Sequence, residues 1–357
     1  MLGGAAHAAG LVLPAVFPLA HARTEHGPSC GPVQTIDVVI AAYLESTVIG
    51  AAVRRLRRDL ARYGGGRVVV VASDRATFDA AHEADVRLLQ PRSGKASAIN
   101  AGVETCSADV VVLTDANCEI RPENWPDLVR EALCRGVGLL SANKTEEAGE
   151  GLYWRYERTV KQLASHRTGC LAVVGEFLAL RRRDFRRIPT TAVNDDLWLA
   201  IDVGARGGRV ETHPAIVTTE PAAPPEEQWG RRTRIMAGQL ELMRQQRGQL
   251  LRTAAGRHLL VHKWYRSTVG AGAFWVATAA ATALLPAPLR LPVLGSLASA
   301  VRDYRAGTRR SRFLPSSAVS YAGMQAVPLE VARQRVLRGL RRVPEPAQHH
   351  LWRKVTR

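Results

Sequence analysis

Two acidic residues close strongly apolar runs, a position that exposes a carboxylate at the rim of a sheet. Residues 110–114 (VVVLT) lead into Asp115-Ala116-Asn117. Oxygen ligands two residues apart can hold a hard Mg²⁺ or Mn²⁺ against phosphate oxygens. Asp115 could equally do no more than cap the next turn. Asp74 ends the run 67–74 (RVVVVASD) in the same way. Lys95 follows Gly94 at the start of a helical pattern, where an ammonium adds to a helix N-terminus already favourable to anions. Asp195-Asp196 open another helical pattern and, taken alone, suit an N-cap and a dipole partner.

These residues need a scaffold, and the pattern between them supplies one. β-branched runs at 36–41, 67–74, 86–90, 110–114 and 138–142 alternate with helical periodicities at 46–63, 95–105 and 124–135, and a short helix reaches about residue 83. Such alternation predicts an α/β fold with a mostly parallel open sheet flanked by helices, in which ligands bind outside the carboxyl ends of the strands. Further on, the sequence predicts a helix over 149–166, a strand over 171–180, a helix from about 195, a strand over 209–218 and a long helix through 246. Beyond about residue 286 the periodicity is poor, which suggests partial disorder.

Composition narrows the function class. The 357 residues include 46% hydrophobic types, enough for a large core, and carry a formal net charge of +17. That charge is local. From Arg231 onward there are 23 Lys/Arg against 4 Asp/Glu, whereas the first 230 residues hold 26 against 28. A neutral acid-bearing half joined to a basic half suits a surface facing anionic lipid or a phosphate ligand, and no nucleic-acid partner is expected. Five cysteines without a CxxC pair fit reduced, mostly buried thiols. Two uncharged stretches, 2–22 and 267–288, invite a membrane reading, the second as the candidate segment, with an Ala-rich soluble helix as the alternative.

Taken in order, the motifs resemble those of family-2 glycosyltransferases, the group that includes cellulose, hyaluronan and chitin synthases. Residues 41–45 (AAYLE) are similar to its P-A-Y-N-E, Ser73-Asp74 to its strand-ending acid, and 94–102 (GKASAINAG) to G-K-x-x-A-L-N-x-G. Asp115-Ala116-Asn117 resembles D-x-D, Asp195-Asp196 stands in place of T-E-D, and 228–232 (QWGRR) partly resembles Q-x-x-R-W. The helix 153–157, the strand end 179–182 and His262-Lys263-Trp264 also look like family segments, so the resemblance covers about 33–266.

The resemblance implies a GT-A fold and an inverting, metal-dependent transfer of a sugar from a nucleotide diphosphate, a UDP-sugar by expectation, to an acceptor hydroxyl. Ala41, Tyr43, Glu45 and Asp74 would contact the base and ribose, Lys95 and Asp115 the nucleotide, and Asp115 with Asn117 the metal. Asp196 would be the general base, with Asp195 orienting it or raising its pKa. Arg231, Arg232 and Arg234 would compensate diphosphate charge, unless they form a solvated basic face. His213 is a candidate extra metal ligand, and Tyr153, Trp154 and Trp229 are candidate stacking platforms for an acceptor. Asn117 removes one formal charge from the metal site, Leu44 replaces the family Asn, and Arg232 stands where processive synthases have Trp, so a non-processive enzyme is expected. The implied layout is an apolar segment and linker at 1–32, a catalytic domain at 33–250 and a basic helical tail at 251–357. The catalytic domain would lie on the cytoplasmic side of the cell membrane, or the protein would be peripheral. The acceptor would be a glycan, a lipid or a small molecule. A rival reading is a basic binding protein for membrane or nucleic acid with a degenerate transferase domain.

Overall fold

The computed structural model describes residues 2–22, 35–146, 152–221, 225–308 and 314–341. Its strands are β1 (Ile36–Ala42), β2 (Val68–Ala72), β3 (Val86–Leu89), β4 (Val110–Thr114), β5 (Glu119–Arg121), β6 (Val137–Glu146), β7 (Phe177–Arg181) and β8 (Arg209–Glu220). They form one eight-stranded sheet in the order β3-β2-β1-β4-β7-β6-β8-β5. The first four are parallel, β7 is antiparallel to both β4 and β6, and β6 runs parallel to β8. The sheet is therefore mostly parallel, as the alternation of elements predicts, with an antiparallel insertion.

Continuous valine runs form β1, β2 and β4 because both faces of these strands are covered. Val39, Val69, Val71, Val111 and Leu113 point to one face, while Val38, Ile40, Val68, Val70, Val110 and Val112 point to the other. On the first lie α4 (Lys95–Thr105) and α7 (Asp195–Ala205); on the second lie α2 (Ile49–Arg62) and α5 (Trp125–Cys134). Two motif positions acquire a mechanical meaning here. Gly102 lets α4 sit directly on β1, since a Cβ there would fall 2.4 Å from a methyl of Val39. Asn100 clamps the backbone of Ile188, donating to its carbonyl (2.8 Å) and accepting from its N–H (2.9 Å).

The remaining helices are α1 (Leu2–Leu19), α3 (Arg75–Ala80), α6 (Leu152–Arg167), α8 (Pro225–Gln245), α9 (Arg247–Arg252), α10 (Ala254–Leu259), α11 (Ala271–Ala283), α12 (Ala287–Arg305) and α13 (Ser316–Arg341). A π-helical stretch, Leu260–Gly270, joins α10 to α11. Helix α1 packs on that stretch, on α11 and on α6. Pro18 has no N–H for the carbonyl of Pro14, and His258 Nε2 supplies the missing donor at 2.9 Å.

Three expectations need correction. The strand expected at 171–180 is confined to Phe177–Arg181, because Gly169 turns the chain with φ +82° and the Val174 N–H goes to the Ser141 hydroxyl instead of a ladder. The segment 267–288 is not one helix: α11 ends at Ala283, and Pro286 begins a new helix after a turn. Beyond residue 286, residues 287–305 and 316–341 form two helices in which Pro292 and Pro328 are tolerated. Of the described helices, Leu2–Leu19 is the one long and apolar enough to cross a membrane.

Candidate active site

The carboxyl ends of β1, β2 and β4 open onto a single rim, and the acids that end β2 and β4 both stand there. Asp74 caps α3 by accepting from Thr77 N–H (2.9 Å), and its second oxygen accepts from Leu44 N–H (2.6 Å). It thereby holds the loop after β1 in place, together with the Thr77 hydroxyl, which accepts from Glu45 N–H (2.8 Å). Leu44 adopts φ +54°, a left-handed conformation that suits the Asn of the related motif better than Leu. Tyr43 beside it carries the Arg92 guanidinium over its ring at 4.3 Å, and Arg92 also donates to the phenol oxygen at 3.3 Å. Arg92 was not a sequence candidate; it lies just outside the 94–102 motif, and only the fold brings it over Tyr43.

Lys95 is the hinge of the acid cluster. Its ammonium donates to Asp115 Oδ1 at 2.7 Å and lies 3.9 Å from Asp195 Oδ2. Burial opposes its charge, yet the attraction of Asp115 and then Asp195 prevails and holds its pKa well above the ordinary lysine value. Asp196 shows the opposite balance. Burial first, and the charge of Asp195 second, push its carboxyl up to about 7. One Asp196 oxygen accepts from Leu197 N–H (2.8 Å), and Gly175 passes close to the other.

A second network supports the arginines of α8. Lys144 donates to Glu176 (2.5 Å) and to Glu220, and Glu220 accepts from Arg231 Nη2 at 3.1 Å. Glu176 is tied in turn to the Asp115 strand, since the Thr114 hydroxyl donates to its carbonyl at 2.8 Å. Arg231 is cationic beyond the ordinary arginine: burial works against the charge, while Glu220, Glu176 and Asp115 favour it. Arg234, one turn on, is lowered by burial and by Arg231, with Asp195 the opposing carboxylate. It makes no hydrogen bond or ion pair among the described residues. Two partly buried guanidiniums thus stand on the acid cluster's side.

Arg232 is placed elsewhere. Its guanidinium stacks on Tyr304 of α12 at 5.7 Å, and Trp229 meets the same ring edge-on, with Arg305 over the indole at 5.0 Å. His213 is also apart: its Nδ1 accepts from Ala215 N–H, and burial, then Arg135, lowers its pKa. Ala41 is half-buried as the penultimate residue of β1, and Asn117 is half-exposed in the turn two residues beyond Asp115. The side chains of Tyr153 and Trp154 lie outside the described residues.

Among the described residues no group of three or more His, Cys, Asp or Glu gathers as a metal cage. Asp115 and Asn117 supply hard oxygen donors only, a set that fits a Mg²⁺- or Mn²⁺-type cation sharing its coordination with ligand phosphates. The four described cysteines are free thiols; burial raises Cys118 and Cys170, which favours inert neutral sulfur.

Residues 37–189 match the family model described as Glycosyl transferase family 2. No curated protein sequence matches the chain. Among solved structures, a mannosyltransferase from Pyrobaculum calidifontis, in complex with GDP-Man and Mn²⁺, aligns at a TM-score of 0.67 and 20% identity over 94% of this chain and 97% of that one. TarS residues 1–349 from S. aureus align at 0.44 and 12% identity, over 85% and 91% of the two chains. The mannosyl-3-phosphoglycerate synthase of Rubrobacter xylanophilus aligns at 0.44 and 14%, over 60% and 75%.

Proposed function

We propose that this chain, a glycosyltransferase of GT-A fold whose residues 37–189 match the family-2 model, transfers a sugar from a nucleotide diphosphate to an acceptor hydroxyl with inversion. The observation that carries this reading is the grouping of Lys95, Asp115, Asp195 and Asp196 beneath Arg231 and Arg234. A base and a diphosphate clamp are thereby set on one rim. Tyr43, Glu45 and Asp74 form the wall for base and ribose. Asp115 and Asn117 would hold Mg²⁺ or Mn²⁺, whose charge offsets the diphosphate. Arg231 and Arg234 bind the phosphate oxygens, and Arg234 reserves its donors for that purpose.

The Asp196 carboxylate takes the proton of the acceptor hydroxyl as its oxygen attacks the anomeric carbon, and the bond from that carbon to the diphosphate oxygen breaks. The electron pair leaves with the nucleoside diphosphate. Attack opposite the leaving group inverts the anomeric centre. With Arg232 engaged by Tyr304, the segment lacks the clamp of processive enzymes, and single-sugar transfer is the reading we favour. Family resemblance points to a UDP-sugar, while the Pyrobaculum calidifontis mannosyltransferase of like fold is in complex with GDP-Man, so both are the first donors to assay.

The catalytic part would comprise residues 33–250, with the helical remainder as a membrane-facing appendage. In support, Leu284 (87%) in the turn after α11 and Leu291 (78%) near the start of α12 are exposed, and α1, antiparallel to α11, exposes Leu2 (90%) toward the same end. Exposed apolar side chains of this kind suit insertion into a bilayer interface. The test is direct: purified protein with Mg²⁺ or Mn²⁺ releases nucleoside diphosphate from a nucleotide sugar, and Asp115→Ala and Asp196→Ala abolish it. Absence of nucleoside-diphosphate binding by the wild type would sink the proposal.

A further inference from the structure

Behind Asp196 lies a polar cavity of about 60 Å³ that the donor reading does not use. Lys161 of α6, Lys263 of the π-helical stretch, Gln239 of α8 and Asp196 line it, with Ala172 and Val173 from the loop before β7. It is roomy enough for a few waters or one compact oxyanion. Lys161 is more than nine-tenths buried, at 8% exposure, and makes no hydrogen bond or ion pair among the described residues. Lys263 shares Glu157 (2.8 Å) with Arg266 (2.6 Å) and with His262 (3.3 Å). Two cations, Lys263 and Arg266, and an imidazole that burial keeps neutral therefore surround one carboxylate, and the Lys161 ammonium, without a partner among the described residues, opens onto the cavity. Burial lowers the pKa of both lysines, and each repels the other, so the fold keeps positive charge at a cost beside the acid proposed as base. A bound anion offsets that cost.

We propose that this cavity is the anion subsite of the acceptor: a phosphate group of the acceptor seats between Lys161 and Lys263 and thereby delivers its hydroxyl to Asp196. Two ammoniums match the dianion of a phosphate monoester better than a single carboxylate. The inference rests on Asp196 being the base, and it makes the acceptor a phosphorylated molecule, whether free or lipid-linked.

The test uses the full chain with the donor site filled by saturating UDP or GDP and Mg²⁺, so that inorganic phosphate, followed by calorimetry, reports on the cavity alone. Saturable phosphate binding is expected, about tenfold weaker in Lys161→Met, close to wild type in Lys161→Arg, and about tenfold weaker for acetate. Lys161→Met should melt at or above the wild-type temperature, because it removes an unpaired buried charge. Phosphate affinity unchanged in Lys161→Met, or no phosphate binding while the nucleotide binds normally, overturns the proposal. Failure of the nucleotide to bind counts instead against the donor reading, and phosphate titrated without nucleotide still tests the cavity. In a competition arm, a phosphorylated alcohol and a long-chain alkyl phosphate in neutral detergent distinguish a soluble acceptor from a lipid one.

Discussion

Replacing Asp195 with Asn should lower the pH at which the enzyme becomes active. Asp196 is carried from 3.8 to about 7, a shift of about 3 units or, at ~1.4 kcal/mol per unit, on the order of 4 kcal/mol in favour of the protonated acid. A base works only when deprotonated, so kcat/KM for the wild type should climb roughly tenfold per unit below pH 7 and level off above it. Burial is the larger cause and the Asp195 charge the second, so Asp195→Asn removes the smaller share. A fall in the inflection on the order of 1 unit is expected. Asp196→Asn should lose roughly 10²–10⁴ in rate. The sign for stability follows from the same shift. Between about pH 4 and 7 the folded chain keeps a proton that the unfolded chain has released, so stability falls as pH rises through that window and Asp196→Asn flattens the fall. The assay is nucleoside-diphosphate release from pH 5 to 9 at saturating metal, with urea unfolding at each pH. An inflection in Asp195→Asn that stays put or moves upward would refute the reasoning.

Lys95→Met should destabilise the fold by ~3 kcal/mol, since it leaves Asp115 and Asp195 partly buried without their shared cation; a urea midpoint equal to wild type would contradict this. Leu44→Asn should stabilise by about 0.5–1 kcal/mol, because Leu44 is exposed and sits at φ +54°, and a lower melting temperature would count against it. Glu220→Gln should raise the donor KM about tenfold while kcat changes less, through loss of the charged partner of Arg231; a fall in kcat at unchanged KM would point to another role. Leu284→Asp combined with Leu291→Asp should reduce co-flotation with vesicles about tenfold at unchanged melting temperature, and undiminished flotation would discard the insertion surface.

What could be read from the sequence depended on whether the signal was local. The strands 110–114 and 36–42 and the helix Lys95–Thr105 were legible because apolar runs and a 3.6-residue period are local patterns that the core then enforces. Strand-end acids were legible for the same reason: Asp74 and Asp115 stand where an apolar run stops. The three-residue strand Glu119–Arg121 was not, since its partner, Thr219 opposite Glu119, lies a hundred residues away. Arg92 over Tyr43 and the Lys144–Glu220–Arg231 chain were hidden likewise, because their partners are far apart in sequence and meet only in the folded chain. Arg231 and Arg234 share a helix face one turn apart, and Arg232 between them points away, a distinction that a run of arginines does not show until its helix is placed.

The contact between the first helix and the last third of the chain constrains how the protein can be made. Pro14 receives its hydrogen bond from His258, 244 residues later, and His7 bonds the carbonyl of Gly270, 263 residues later. At roughly 5–20 residues per second, a ribosome leaves α1 without these late partners for roughly 10–50 s. During that interval the uncharged 18-residue helix has α6 as its early partner in the chain, with the Tyr156 hydroxyl donating to the Leu11 carbonyl. The sheet, whose strands all emerge before residue 221, can therefore be complete before α1 gains its contacts with the last third of the chain.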